Sequence, residues 1–313
     1  MGMRSLIALA TLSLVGAGPS DIAVARVDPL IVEDDDFARH RDPAEWRGLE
    51  ASRITFTEER ASWRLWRIAD PARPQGPLWF VPHDNENAGF EAALAAVRRY
   101  GGTLIAVDSG IAGQRDGQRL NRAVTIGQPI DPNRNFHDGL PRYPSQVLAA
   151  VAKGAWPIIA LHTNARGYDP TDSTCPPEGD TSGSGIISIR YCDATLRPSP
   201  SQGRAYPFDD DDTVAFATYL ATQTESDAFC NDAMLAADFN VVHERVVNSD
   251  GSLSNYAVLH RLDYLNFETQ DRGLDPAELA KARDRLLWMI DRAMVMCAGA
   301  ERRPSPLPAL TFR

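Results

Sequence analysis

Leu78-Trp79-Phe80-Val81-Pro82-His83-Asp84-Asn85-Glu86 is an apolar run that stops on a histidine, with a glutamate three residues further on. Four consecutive apolar residues bounded by proline read as a short strand buried on both faces. A His-x-x-Glu at the end of such a strand offers an imidazole and a carboxylate to one metal ion. A second run, Ile158-Ile159-Ala160-Leu161, also ends on a histidine, His162. Between them lies Ile130-Asp131-Pro132-Asn133-Arg134-Asn135-Phe136, and Tyr264-Leu265-Asn266-Phe267-Glu268 follows near the C-terminus.

Strands and helices alternate around these motifs. Trp63-Arg64-Leu65-Trp66-Arg67-Ile68 alternates as an edge strand does. Phe90, Leu94 and Val97 share a helical face that Gly101-Gly102 ends, and Thr103 to Val107 is a short strand. Residues 108–128 are polar and rich in Gly and Arg, as an active-site loop is. Val147 to Ala152 is expected to be helical and closed by Gly154. Residues 26–60 are acidic and mixed, with Asp34-Asp35-Asp36 expected as an exposed turn. The stretch 163–207 is a long irregular loop rich in Gly, Ser, Pro and Asp. Asp209 to Asp212 read as the cap of a helix from Thr213, ahead of calcium binding. Asp275-Pro276-Ala277-Glu278 opens a terminal helix with Leu279, Leu286, Ile290 and Cys297 inward. Alternation of this kind implies one α/β domain: a central mixed, mostly parallel twisted sheet flanked by helices, with its site at the carboxyl ends of the strands.

The 313 residues can bury a sizeable core, and 43% hydrophobic with 24% charged residues is ordinary for a globular chain. A net charge of −10 excludes a nucleic-acid surface built on counterion release. Residues 1–25 read as an export signal, with Arg4, an apolar stretch from Leu6 to Val15, and a small-x-small site at Ala23-Val24-Ala25. Val15-Gly16-Ala17 is the second choice of site. The domain is then 26–313, periplasmic or secreted, with no stable membrane insertion after cleavage. Four cysteines in an exported chain point to disulfides. Cys175 and Cys192 bracket a Gly/Ser/Pro-rich loop and Cys230 and Cys297 sit near helix ends, so those pairs are expected. No close Cys-x-x-Cys supports a four-cysteine zinc site.

The order His-x-x-Glu, Asn-Arg, strand-terminal His, strand-borne Glu resembles the zinc carboxypeptidase family over about residues 78–298. The resemblance implies one Zn²⁺ held by His83, Glu86 and His162, with the fourth position open. It makes Glu268 the general base, and Asn133 and Arg134 the grip on a free substrate carboxylate, for which a guanidinium fork is suited. The run Arg119-Leu120-Asn121-Arg122 corresponds to the segment carrying an oxyanion-stabilising arginine; Arg119 is the first choice and Arg122 the second. The implied substrate is a peptide or peptide-like molecule with a free carboxylate, peptidoglycan stem peptides included.

Two features set the chain apart from that pattern. Asn85 stands where the family commonly has arginine, and Val246 falls where it has a mobile tyrosine, counted from Ser249-Asp250-Gly251-Ser252. Leu253 falls at the specificity position. His40, His137, His243 and His260 lack ligand spacing, although His137 follows the Asn-Arg turn closely enough to approach the site. The aspartoacylase and succinylglutamate desuccinylase branch, which deacylates N-acyl amino acids, shares His83-Asp84-Asn85-Glu86 with Gly89 and Leu161-His162-Thr163-Asn164. The late position of Glu268 favours the carboxypeptidase layout. A catalytically silent zinc-binding protein is the remaining alternative; it would be marked by loss of the base or a ligand, and neither is lost.

Overall fold

The computed structural model describes residues 22–110, 118–151, 156–164 and 195–297. These form one α/β unit around a mixed sheet with strand order β1-β2-β3-β5-β4-β6-β10-β8-β9-β7. The strands are β1 (Ala23–Arg26), β2 (Glu50–Glu58), β3 (Ala61–Ala69), β4 (Leu78–Val81), β5 (Thr103–Val107), β6 (Ile158–Asn164), β7 (Leu196–Ser199), β8 (Val214–Leu220), β9 (Val241–Val246) and β10 (Tyr264–Gln270). Parallel pairing joins β5, β4, β6 and β10 at the centre, and antiparallel pairs extend the sheet on both sides, with β8 and β9 parallel to each other.

The helices are α1 (Asp35–Ala38), α2 (Asn87–Tyr100), α3 (Arg142–Val147), α4 (Asn231–Ala236), α5 (Leu253–Leu259) and α6 (Pro276–Met296). Pleating sends alternate residues to opposite faces of the sheet. Trp79, Val81, Ile159, Leu161, Leu265 and Phe267 go to one face, where α2 and α6 cover them. Phe80, Ile158, Ala160 and Tyr264 go to the other, under Tyr143 and Val147 of α3 and Leu253 and Ala257 of α5. That second face turns polar at the carboxyl ends of β6 and β10. Helix α2 ends at Gly101, whose φ of 78° lies in the left-handed region and whose N–H donates to the Val97 carbonyl. At the start of α6, Asp275 accepts from the N–H groups of Ala277 and Glu278, with Pro276 in the first turn.

Several local expectations need correction. Strand β3 is internal, because β2 pairs along all nine of its residues and covers the edge assigned to it. The turn expected at Asp34-Asp35-Asp36 is not exposed: Asp34 caps α1, and Asp36 is buried against Arg39 and Asn87. The helix expected at 147–152 lies earlier, as α3 and a single 3₁₀ turn at Leu148–Ala150. In place of a helix from Thr213, residues Val214–Leu220 form strand β8. The Asp210 carboxylate accepts from the N–H groups of Asp212 and Thr213 in a turn, and β9 and β10 pair with the segment on both sides. The irregular stretch 163–207 contains the end of β6 and all of β7; its residues 165–194 lie outside those described.

Cys230 and Cys297 are disulfide-bonded, tying the start of α4 to the end of α6. The pair Cys175 and Cys192 lies outside the described residues, as do residues 1–21 of the segment expected to be an export signal. Ala23–Arg26 is an edge strand paired with Ser52–Thr55, so cleavage after Ala25 would remove most of β1, whereas cleavage after Ala17 would leave it whole. No helix among the described residues is long and apolar enough to cross a membrane.

Candidate functional site

Strands β4, β6 and β10 run parallel as neighbours, so their carboxyl ends open on the same edge of the sheet. His83 stands two residues past β4, His162 is in the last turn of pleat of β6, and Glu268 pairs in register with His162 across β6 and β10. Residues paired in a parallel ladder project to the same face, so Glu268 and His162 rise side by side.

Glu86 reaches this edge from the turn between β4 and α2. The Glu86 N–H donates to the His83 carbonyl at 3.0 Å, and Gly89 lies in the first turn of the helix beyond. A Cβ on Gly89 would come within 3.0 Å of the Leu161 carbonyl oxygen, so a glycine there lets α2 lie close against β6. The Glu86 carboxylate is then shared between the two histidines. Its Oε1 is 2.7 Å from His83 Nδ1, and its Oε2 is 3.0 Å from His162 Nδ1 and accepts from the Thr163 N–H at 3.1 Å. All three residues are buried, and each offers a ligand atom within 4.8 Å of the others'. The ring centroids of His83 and His162 are 5.2 Å apart.

Electrostatics favour an ionised carboxylate between two imidazoles. Burial acts to raise the Glu86 pKa, but the His83 and His162 charges and hydrogen bonds hold it well below the usual range. Burial acts to lower His83, yet Glu86 and a hydrogen bond to Asp131 carry it up to about 9. Asp131 is held down to about 2, the His83 contact outweighing burial. A buried set of two imidazoles and a carboxylate matches the donor preference of zinc. His162 Nε2 is buried with no hydrogen-bond partner, as a buried polar group awaiting a ligand would be. The residues present fit a zinc ion.

Asp131 was not singled out from the sequence as a site residue. It accepts from His83 Nε2 at 2.9 Å, the contact that fixes ring orientation and tautomer in metal-ligating histidines. The same oxygen caps the turn at Asn133, so the Asp-Pro-Asn signature reads as a local cap and conceals the second role. Asn266 and Asn164 were likewise missed. Their amides donate to Glu268 Oε1 at 3.0 Å and Oε2 at 3.5 Å, and their spacing of two residues from Glu268 and His162 on the same strands is the signal that could have found them.

Arg119 Nη1 donates to Glu86 Oε1 at 2.8 Å from a half-exposed position, at the mouth of the buried cluster. Arg122 is exposed. Asn133 and Arg134 are brought to α5: Asn133 Oδ1 accepts from the Leu253 N–H at 3.2 Å, leaving its amide nitrogen as the end that could meet a ligand. Arg134 Nε pairs with Asp250 at 3.2 Å, both half-exposed. Gly251, at φ 81°, packs its backbone against the Arg134 carbonyl, where a Cβ would come within 2.6 Å. His137 accepts no role at the histidine cluster; its Nε2 lies 3.1 Å from the Arg134 carbonyl and braces the same turn. Val246 is buried at the end of β9, and Leu253 is buried at the start of α5. His40, His243 and His260 are locally bonded, to Glu45, Asn231 and Asp138.

No known family profile matches the chain, and no curated protein matches it. Remote likeness to solved structures is found. The succinylglutamate desuccinylase from Chromobacterium violaceum is 11% identical, with a TM-score of 0.40 over 79% of this chain and 70% of that one. The succinylglutamate desuccinylase/aspartoacylase from Rhodobacter sphaeroides is 15% identical, with a TM-score of 0.40 over 80% of this chain and 65% of that one. The product-bound cell shape determinant protein Csd4 from Helicobacter pylori is 15% identical, with a TM-score of 0.39 over 75% of this chain and 55% of that one. Likeness this remote assigns no activity.

Proposed function

We propose that the chain is a zinc-dependent hydrolase of amide bonds, acting as a metallocarboxypeptidase on peptides with a free C-terminal carboxylate. The observation that carries the proposal is the joining of His83, Glu86 and His162 at the carboxyl ends of β4 and β6, with Glu268 in register beside His162. A zinc ion held by that set would polarise the scissile carbonyl and acidify water. Glu268, oriented by Asn164 and Asn266, takes the proton of the attacking water and passes it to the leaving amine. Arg119 stabilises the developing oxyanion from the mouth of the site. Asn133 and Arg134 hold the terminal carboxylate, and Asp250 exchanges its place on the guanidinium for the substrate. Secretion to the periplasm or beyond accords with the cystine and the N-terminal segment.

A second reading, deacylation of N-acyl amino acids, is favoured by one feature. A buried Val246 stands where a tyrosine clamp for peptides would be, and a small substrate needs no such clamp. Peptides, their C-terminal amides and N-acyl amino acids, offered in parallel to the zinc-loaded protein, separate the two. Removing the carboxylate while leaving Arg134 without its ligand costs about 2–5 kcal/mol, so amides should be cleaved at least about 30-fold more slowly than free acids. Acyl release with peptides untouched would hand the site to the deacylase reading.

A further inference from the structure

A second cluster of acid groups lies apart from the histidines. Asp34, Asp35 and Asp84 offer carboxylate oxygens within 4.8 Å of one another. They line a cavity of about 290 Å³ between the start of α1, the middle of β3 and the carboxyl end of β5, whose wall also includes Glu33, Asp108 and Arg64.

An acidic cluster alone specifies nothing, but Asp84 adds a distinct observation. Its side chain is only 5% exposed. Oδ2 accepts from both the backbone and the hydroxyl of Ser109, which fixes the plane of the carboxylate. Oδ1 is buried with no hydrogen-bond partner, although the residue borders the cavity. A buried carboxylate oxygen left unpaired is costly unless a ligand satisfies it.

The arginines of the wall do not satisfy it. Arg64 is paired with Asp108 at 3.1 Å, and Arg53 lies over the Trp66 ring. Among the described residues no cation is paired with Asp84. The neighbouring acids are also fixed: Asp34 accepts from the N–H groups of Asp36 and Phe37 and from Trp66 Nε1 at 3.0 Å, and Asp35 accepts from Gln118 Nε2 at 3.0 Å. Burial, with repulsion from Asp108 and Asp35, holds the Asp34 carboxyl above its usual range.

We propose that Asp34, Asp35 and Asp84 form a second cation site that takes a hard divalent ion, calcium, distinct from the histidine centre. Donors that are all oxygen, without an imidazole or thiolate, select calcium or magnesium over zinc. Calcium suits the cavity better, since irregular geometry and several coordinated waters are tolerated by it and not by magnesium. Asp84 lies between His83 and Glu86 in sequence, so an ion there braces the turn that carries two of the candidate zinc ligands. The site does not depend on the hydrolase reading.

Trp66 supplies the probe, because its indole touches Asp34 and lines the cavity. The zinc-loaded full chain would be titrated with terbium and its emission read under indole excitation, with calcium and magnesium affinities measured by calorimetry. The expected result is saturable terbium emission that calcium displaces, calcium bound more tightly than magnesium, and loss of most emission in Trp66→Phe with calcium binding retained. Loss of one carboxylate in Asp35→Asn should weaken calcium by about 10-fold or more, with zinc content unchanged. Asp84→Asn should do the same; if that variant fails to fold, Asp35→Asn decides alone. Absence of calcium binding at millimolar concentration would overturn the site. So would an affinity within about threefold of the parent in Asp35→Asn, or emission undiminished in Trp66→Phe.

Discussion

Glu268 has a buried scaffold and a half-buried carboxylate, held at both oxygens by asparagine amides from β6 and β10. That arrangement suits a group that must keep one orientation while a proton comes and goes. Glu268→Gln preserves the volume and removes the proposed base. Turnover of the best free-acid peptide should fall by at least about 100-fold with zinc content unchanged, and near-parental turnover would remove Glu268 from the mechanism. At this scale the candidate residues that the structure brings together could be picked out because each follows an apolar run: His83 after Val81-Pro82, His162 after Leu161, Glu268 after Phe267. Asp131, Asn164 and Asn266 were not, because their types suit caps and strand ends as readily as a site. Only the distances of 2.9–3.5 Å to His83 and Glu268 reveal what they orient.

Helix α2 shows how an element delivers the site and how it is itself held. Glu91 on its buried face meets Arg39 at 2.8 Å and His40 at 3.1 Å, joining α2 to the segment after α1. Burial acts against both charges, but the pair outweighs it: His40 is raised above 6.5 and Glu91 lowered below 4.5. The His40 contribution to stability is therefore full below pH 6.5 and lost as pH rises through its raised pKa. The Glu91 contribution is present above pH 4.5 and lost as pH falls through its lowered pKa. Together they stabilise most between those two values. The stability gap between the parent and His40→Gln, from denaturant melts, should be largest in that window and shrink as the pH is raised. A gap constant with pH would show that the pair carries no charge coupling.

The same scale marks where sequence patterns misled. The alternation of β3 cannot tell an edge from an interior strand, since β2 covers it with residues whose charged members face water. The run from Val214 has helical length and a preceding acidic cluster, yet β9 and β10 on either side decide its state. Tertiary pairing was the missing information in both cases.

Across the whole molecule, the parallel centre of the sheet gathers the site, and the Cys230–Cys297 bridge closes the far side where α4 meets the end of α6. The two cysteines are 67 residues apart in sequence, a loop whose closure stabilises by about 2–4 kcal/mol in the chain-entropy account. The double substitution Cys230→Ser/Cys297→Ser should lower the unfolding free energy by that amount in denaturant melts, while zinc content stays intact because neither cysteine belongs to the His83, Glu86 and His162 group. A loss below about 0.5 kcal/mol would mean that the bridge adds nothing to the fold. The α/β architecture was legible from alternating apolar runs, and this cystine from helix ends. The edge strands β1 and β7 were not, because a four-residue edge strand carries little apolar signal.

The central claim is that His83, Glu86 and His162 together make one zinc centre, and metal content tests it without any assumption about substrate. Protein purified without added chelator should carry close to one zinc per chain, and His162→Ala, which leaves two of the three ligands, should carry little or none while keeping the parental fold by circular dichroism. Full zinc occupancy in a folded His162→Ala variant would contradict the account.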